Sequence, residues 1–148
     1  MKTKDLLTAG LLALTATLTS ARAADTILHN FTGGTSDGSM PDGSLTLSGT
    51  KLYGMTEAGG SSNTGALFSM NTDGSSFGLL HSFTGGASDG STPYGSLTLS
   101  GAKLYGMTVG GGSSDTGALF SMNPMAPATA CSIPSPAAPA MALSLLAR

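Results

Sequence analysis

The residues best suited to acid–base or ligand chemistry are histidines and aspartates, and they occur as pairs 52 positions apart. His29 and His81 are the only histidines, and Asp37 and Asp89 each stand in a Ser-Asp-Gly sequence. A polar residue that is duplicated with its surroundings usually serves the structure of its repeat. We therefore expect each imidazole to donate to a turn carbonyl and each Asp-Gly pair to form a turn. The alternative for both aspartates is ligand binding, for example in a calcium loop, because hard cations take oxygen ligands.

Tyr94 is not duplicated, because the first copy has Asp42 at that position. A loop tyrosine can stack its ring on the apolar face of a sugar, and a calcium loop that used Asp42 would lack that ligand in the second copy. The predicted ligand-binding residues are therefore Tyr94, Asp37 and Asp89. The sequence contains no HxH, CxxC or HExxH pattern, and we predict no catalytic residue, no metal site and no cofactor.

An internal repeat carries these residues. Residues 29–71 align without a gap on residues 81–123, and 35 of the 43 aligned positions are identical. Such self-similarity at a fixed period is typical of repeat architectures. The copies are predicted to span about 26–77 and 78–123, within a domain that covers residues 24–123.

Apolar residues alternate within each copy, which is the pattern of a half-buried strand. In the first copy this alternation predicts strands at 45–47, 52–56, 66–70 and 79–83, separated by turn sequences such as Pro41-Asp42-Gly43. Residues 27–31 are expected to form a further strand that pairs with a different copy. The predicted fold is all-β, with two four-stranded, propeller-blade-like repeats. It is an incomplete propeller, because two blades cannot close a ring. We expect a shortened member of a family with more copies, or else several chains that assemble into one ring. A further alternative is that the two copies fold into another compact β arrangement such as a sandwich.

The two ends of the chain have different compositions. Lys2 and Lys4 precede an apolar stretch at 6–18, and Ala21 and Ala23 supply the small residues that a signal peptidase recognises. Residues 1–23 are therefore predicted to be a helical signal peptide that is cut after Ala23, and the mature chain is expected to have no stable transmembrane span. Residues 124–148 are rich in proline and alanine and are predicted to be a disordered tail.

The overall composition limits the classes of partner. The formal net charge is -2, with only six Lys and Arg residues, and a nucleic-acid partner would require a basic surface. Unpaired strand edges invite association between chains. We therefore expect self-association through strand edges and a glycan as candidate partners, and no nucleic acid.

Several repeat elements together point to a known family. LYGMT, TGALFSMN, LLHSFTGG and SDGSTPYGSL stand in the same order and spacing in both copies, with small substitutions. Over residues 26–123 they resemble the GloVer tandem repeat of exported bacterial proteins, a choice-of-anchor type. Met55 and Met107 stand where that family usually has threonine. The resemblance implies a propeller-like repeat and export, and it implies no particular activity.

The function predicted from these features is a non-enzymatic, exported repeat protein that is secreted, periplasmic or on the cell surface, with a structural or binding role. The first alternative is a carbohydrate-binding module. The second is a fragment of a propeller-type hydrolase or lyase.

Overall fold

The structure is a computed structural model that describes residues 24–125 and 131–132, and in those residues it contains β-strands and no helix. The first copy forms β1 (Gly38–Ser48), β2 (Lys51–Gly59), β3 (Ala66–Asn71) and β4 (Gly78–Ser82). The second forms β5 (Gly90–Ser100), β6 (Lys103–Gly111) and β7 (Ala118–Met122), followed by the short β8 (Cys131–Ser132). The predicted signal helix and most of the predicted disordered tail lie outside the described residues.

The strands form two antiparallel sheets with the same order. The first sheet is β1-β2-β3-β4 and the second is β5-β6-β7-β8. The second sheet therefore has three long strands and a fourth of only two residues. The all-β prediction is confirmed, and strands β2, β3 and β4 lie close to their predicted positions. The two sheets do not close into a ring.

Strand β1 is longer than predicted, because it begins at Gly38 and runs through the expected turn at Pro41-Asp42-Gly43. The pairing with β2 shifts register between Asp42 and Thr46. This irregularity has the character of a β-bulge, which is one of the few places in a sheet that accept proline and glycine. A bulge and a turn share this residue chemistry, which is why the sequence suggested a turn.

Residues 27–31 form no strand, contrary to the prediction. They lie instead against their own copy, where the Phe31 ring centroid is 5.2 Å from that of Phe68 and the His29 ring stacks on Phe77 at 3.7 Å. At the other end, β8 pairs Cys131 with Met122 and Ser132 with Ser121. Part of the predicted tail is therefore joined to the second sheet.

The hydrophobic core lies between the two sheets. The first sheet contributes Tyr53, Met55 and Leu67, and the second contributes Leu97, Leu104, Phe120 and Met122, together with Phe83 from the connection. Burial of this apolar surface is the main force that holds the sheets together.

Hydrogen bonds also join the sheets, mainly between β1 and β5. The Ser44 amide donates to Ser96 Oγ at 2.8 Å, and Thr46 Oγ1 donates to the Leu97 carbonyl at 2.6 Å. These bonds fix the lateral position of one sheet on the other, because they require particular backbone atoms to meet.

Candidate functional site

The histidine and aspartate of each copy contact each other. His29 Nε2 lies 3.1 Å from Asp37 Oδ1, and the same carboxylate accepts the Thr32 amide at 2.8 Å, the Thr32 hydroxyl at 2.9 Å and the Gly38 amide at 2.7 Å. We call this arrangement the first His–Asp clasp. The histidine was expected to meet a turn carbonyl, and the structure gives it a carboxylate partner eight residues away.

These contacts alter the ionisation of Asp37. Burial by itself raises the pKa of this carboxyl group, but the Thr32 amide, the His29 ring, the Thr32 hydroxyl and the Gly38 amide outweigh it and lower the pKa to about 2. Asp37 is thus a carboxylate at neutral pH, and its charge is stabilised by donors from the turn that it closes.

The second His–Asp clasp repeats this geometry. His81 Nε2 lies 3.1 Å from Asp89 Oδ1, and Asp89 Oδ2 accepts the Thr84 amide at 2.8 Å and the Thr84 hydroxyl at 2.9 Å. His81 belongs to β4 of the first sheet, whereas Asp89 directly precedes β5 of the second. This clasp therefore joins the two sheets.

Both carboxylates in the clasps are engaged by several donors of the chain itself. Such groups are well suited to hold a turn in place, since each oxygen that accepts an internal hydrogen bond has less capacity for a ligand. In the described residues, no buried side-chain nitrogen or oxygen lacks a hydrogen-bond partner. The structure does not test the predicted ligand role of Asp37 and Asp89, which remains a prediction.

Tyr94 lies on β5, separate from both clasps. Its side chain is 57% exposed, and its register partner on the neighbouring strand is Met107. An exposed ring on a strand offers a flat surface to a ligand. The structure therefore does not bring the three predicted ligand-binding residues together into one site.

A groove of about 250 Å³ lies on the outer face of the first sheet. Its lining is mostly apolar, and Asp42 and His29 are the residues in it that can carry charge. We call this side of the first sheet the front face, which is defined by Phe31, Leu45, Phe68 and Met70. The equivalent residues Phe83, Leu97, Phe120 and Met122 are buried in the core between the sheets.

The outer face of the second sheet is also apolar. We call it the back face, defined by Tyr105, Met107 and Leu119, whose exposed fractions are 36%, 61% and 62%. An apolar cluster that is open to solvent commonly marks an interaction site. Sequence reasoning missed both faces, since the alternation of apolar residues shows that a strand has a buried side but does not show which copy covers it.

Asp42 makes a contact that the sequence signalled only indirectly. Asp42 Oδ2 accepts the Gly95 amide at 2.8 Å and so joins the bulge of β1 to β5. Asp42 and Tyr94 form one of the eight non-identical pairs of the repeat, and that difference was the available signal of a special role.

Two observations concern metals and membranes. In the residues that the structure describes, no group of three or more His, Cys, Asp or Glu side chains is placed to hold a metal ion. No helix in that part of the chain is long and apolar enough to cross a membrane.

Residues 13–133 match the family described as the Gloeobacter/Verrucomicrobia repeat. This match confirms the resemblance drawn from the repeat motifs and extends over most of the chain. No curated protein and no solved structure matches the chain.

Proposed function

The chain belongs to the Gloeobacter/Verrucomicrobia repeat family, and on that premise we propose that it is an exported, non-enzymatic protein that acts by binding through its outer sheet faces, at or outside the cell surface. A repeat protein with a structural or binding role fits this family match. The proposal adds the location, the absence of catalysis and the binding surface.

The observation that carries the proposal is a contrast between polar and apolar groups. The His–Asp pairs of both copies are engaged in internal hydrogen bonds, whereas large apolar side chains on both outer faces are open to solvent. Catalysis needs polar groups that can reach a substrate, and binding needs exposed apolar surface. The balance in this molecule favours binding.

Export is supported by the N-terminal sequence. Two lysines, an apolar stretch and Ala21-Arg22-Ala23 are typical of a cleavable secretory signal. Expression of the full chain in a bacterial host, followed by fractionation and N-terminal sequencing, tests this point. We expect an exported chain that begins at Ala24, and we expect Ala23→Asp to block the cut. An uncut chain confined to the cytoplasm would refute export.

The binding role is tested with purified cell envelopes from the same host. We expect the exported chain to sediment with the envelopes in a saturable manner, and Leu45→Arg or Leu119→Arg to weaken this binding, because each puts a charge on an apolar face. A His81→Gln variant serves as the control, since loss of one clasp should lower the melting temperature and leave envelope binding unchanged. No saturable binding by the wild-type chain would overturn the proposal.

A second candidate function is carbohydrate binding, which the 57% exposure of Tyr94 favours. Sedimentation with insoluble polysaccharides tests it, with Tyr94→Ala as the disabling variant and Tyr94→Phe as the matched control that keeps the ring. Binding that is lost with alanine and retained with phenylalanine would support the stacking role, because an aromatic face is all that stacking requires. Equal binding by the alanine variant would exclude it.

A further inference from the structure

The two outer faces of the molecule carry residues equivalent to those on the two sides of the interface between its sheets. Within the chain, Met55 and Leu67 of the first sheet are 2% and 0% exposed and pack against the second sheet. Their equivalents on the second sheet, Met107 and Leu119, are 61% and 62% exposed. The back face thus presents the same residue types that the first sheet buries.

On the front face the difference in exposure is reversed, since the residue of the first copy is the exposed one. Leu97 of the second sheet is 6% exposed because the first sheet covers it, whereas its equivalent Leu45 on the front face is 52% exposed. The groove beside Leu45 lies where a covering sheet would pack. The front face is therefore open at Leu45 and the groove, whereas Phe68 and Met70 beneath them are 3% and 4% exposed.

We propose that the back face of one chain docks on the front face of a second copy of this chain, and repeats between molecules the packing that the two sheets make within one. This inference rests on the proposed binding role of the outer faces and names the partner. The contact is mainly between sheet faces, whereas the association expected from unpaired strands was between strand edges.

Polar atoms support this docking as well as apolar ones. Within the chain, Thr46 Oγ1 donates to the Leu97 carbonyl. Between chains, the equivalent bond would run from Thr98 Oγ1 of one molecule to the Leu45 carbonyl of the other. Within the chain the Ser44 amide donates to Ser96 Oγ, and between chains the Ser96 amide can donate to Ser44 Oγ in the same way. An interface with matched donors, acceptors and apolar groups meets the ordinary requirements of specific association.

Residues 26–30 would gain a partner in the same assembly. Their equivalents form β4, in which Leu79 pairs with Phe68 and His81 with Leu67. At the chain-to-chain contact, Ile27 and His29 would take these roles beside Phe120 and Leu119 on β7 of the neighbouring molecule. The pairing would end there, because β8 pairs with β7 at Ser121 and Met122. Ile27 is 74% exposed in the single chain, and pairing of this segment with β7 would cover it.

One position departs from the symmetry and provides a sharp test. Asp42 accepts the Gly95 amide inside the chain, but at the contact between chains Tyr94 would face the Gly43 amide and has no carboxylate to offer. The contact between chains should therefore be weaker than the contact within the chain. Replacing Tyr94 by aspartate should restore the acceptor.

The contact uses a different surface on each partner, so the assembly is heterologous. Such contacts produce rings where the rotation closes and open chains where it does not. A heterologous contact also has a consequence that a symmetric dimer lacks, because two variants with different faces disabled can still bind each other once.

The experiment uses the full chain in three forms, namely wild type, Leu45→Arg and Leu119→Arg, analysed by sedimentation velocity and light scattering. We expect concentration-dependent assembly of the wild type and monomers of either variant alone. An equimolar mixture of the variants should give a one-to-one heterodimer and nothing larger. Circular dichroism of each monomer checks folding, which should survive because both positions are more than half exposed.

Two further variants serve as controls. Val109→Glu should leave assembly unchanged. Its equivalent in the first copy is Glu57, which the packing of the first sheet on the second already accommodates. Tyr94→Asp should tighten assembly roughly tenfold, since one charge-assisted hydrogen bond is gained.

Three outcomes would overturn the proposal: a wild type that stays monomeric at every concentration, variants that fail to complement each other while the wild type assembles, or a Leu119→Arg variant that still dimerises alone. The last would indicate front-to-front pairing. A monomeric wild type that still binds cell envelopes would refute the self-docking and leave the proposed binding role intact. These two failures are therefore distinguishable.

Discussion

Leu67 and Leu119 occupy the same position of the repeat, within the identical sequence TGALFSMN, yet Leu67 is fully buried and Leu119 is 62% exposed. Leu45 and Leu97 differ in the opposite sense, at 52% and 6%. Local sequence cannot explain either difference, because the neighbours are the same. Burial therefore depends on the place of a copy in the stack, and the stack has distinct front and back ends.

The largest effect expected from this comparison concerns the first pair. Leu67→Ala should lower the free energy of unfolding by about 2–5 kcal/mol, since it opens a cavity between the sheets. Leu119→Ala should change it by less than about 0.5 kcal/mol, as is usual for an exposed position. Urea unfolding of dilute, monomeric protein measures both, and equal losses would contradict the packing of the two sheets.

The glycines of β2 and β6 provide a finer comparison. A Cβ at Gly106 would lie 2.6 Å from Phe120 Cζ and 3.0 Å from Leu97 Cδ2, and one at Gly54 would make similar approaches to Phe68 and Leu45. Leu97 is enclosed by the first sheet, whereas Leu45 can move into solvent. Gly106→Ala should therefore destabilise by about 1–3 kcal/mol.

Gly54→Ala should destabilise by a clearly smaller amount in the same urea titration. A larger effect at Gly54 would show that Phe68, with its ring neighbours Phe31 and Phe77, is less able to adjust than its counterpart Phe120.

Acid should weaken the first copy through its His–Asp clasp. The pKa of Asp37 is about 2 in the folded chain, below its ordinary value of 3.8, so its stabilising contribution is full above about pH 4 and is lost as the pH falls towards 2. With solvent screening taken into account, this amounts to roughly 1 kcal/mol. Thermal melting between pH 2 and pH 6 measures it, and Asp37→Asn should remove this part of the acid dependence.

The smallest expected effect concerns the position where the copies differ most in chemistry. Asp42→Ala should cost about 1 kcal/mol, because the Gly95 amide loses its acceptor between the sheets. Tyr94→Ala should fall within about 0.5 kcal/mol of wild type, since its side chain is exposed. Urea unfolding of the two variants side by side measures both losses in the free energy of unfolding. A larger loss for Tyr94→Ala than for Asp42→Ala would show that Tyr94 packs against the body of the protein.

Much of the fold followed from local patterns. Alternating apolar residues located β2 and β3, and turn residues located their ends. The start of β1 was missed because Pro41-Asp42-Gly43 has the composition of a turn and forms a bulge. Residues 27–31 were expected to pair as a strand, but in the structure they pack against their own copy through His29 and Phe31.

The candidate site was less predictable for a related reason. Duplication indicated that His29, His81, Asp37 and Asp89 are parts of the repeat, but their contacts cross a turn of eight residues and depend on backbone geometry. No pattern along the chain marked the front and back faces, because each carries the same residues as a buried face.

Local sequence establishes the repeating unit: two copies of one strand pattern, the chemistry of their turns and the apolar side that each strand must bury. Which copy buries that side depends on long-range packing. A repeated sequence gives both copies the same capacity to pack, but two stacked sheets have one shared interface and two outer faces. Packing between distant residues therefore gives Leu67 and Leu119 different exposures, and likewise Leu45 and Leu97. It leaves one outer face on each sheet.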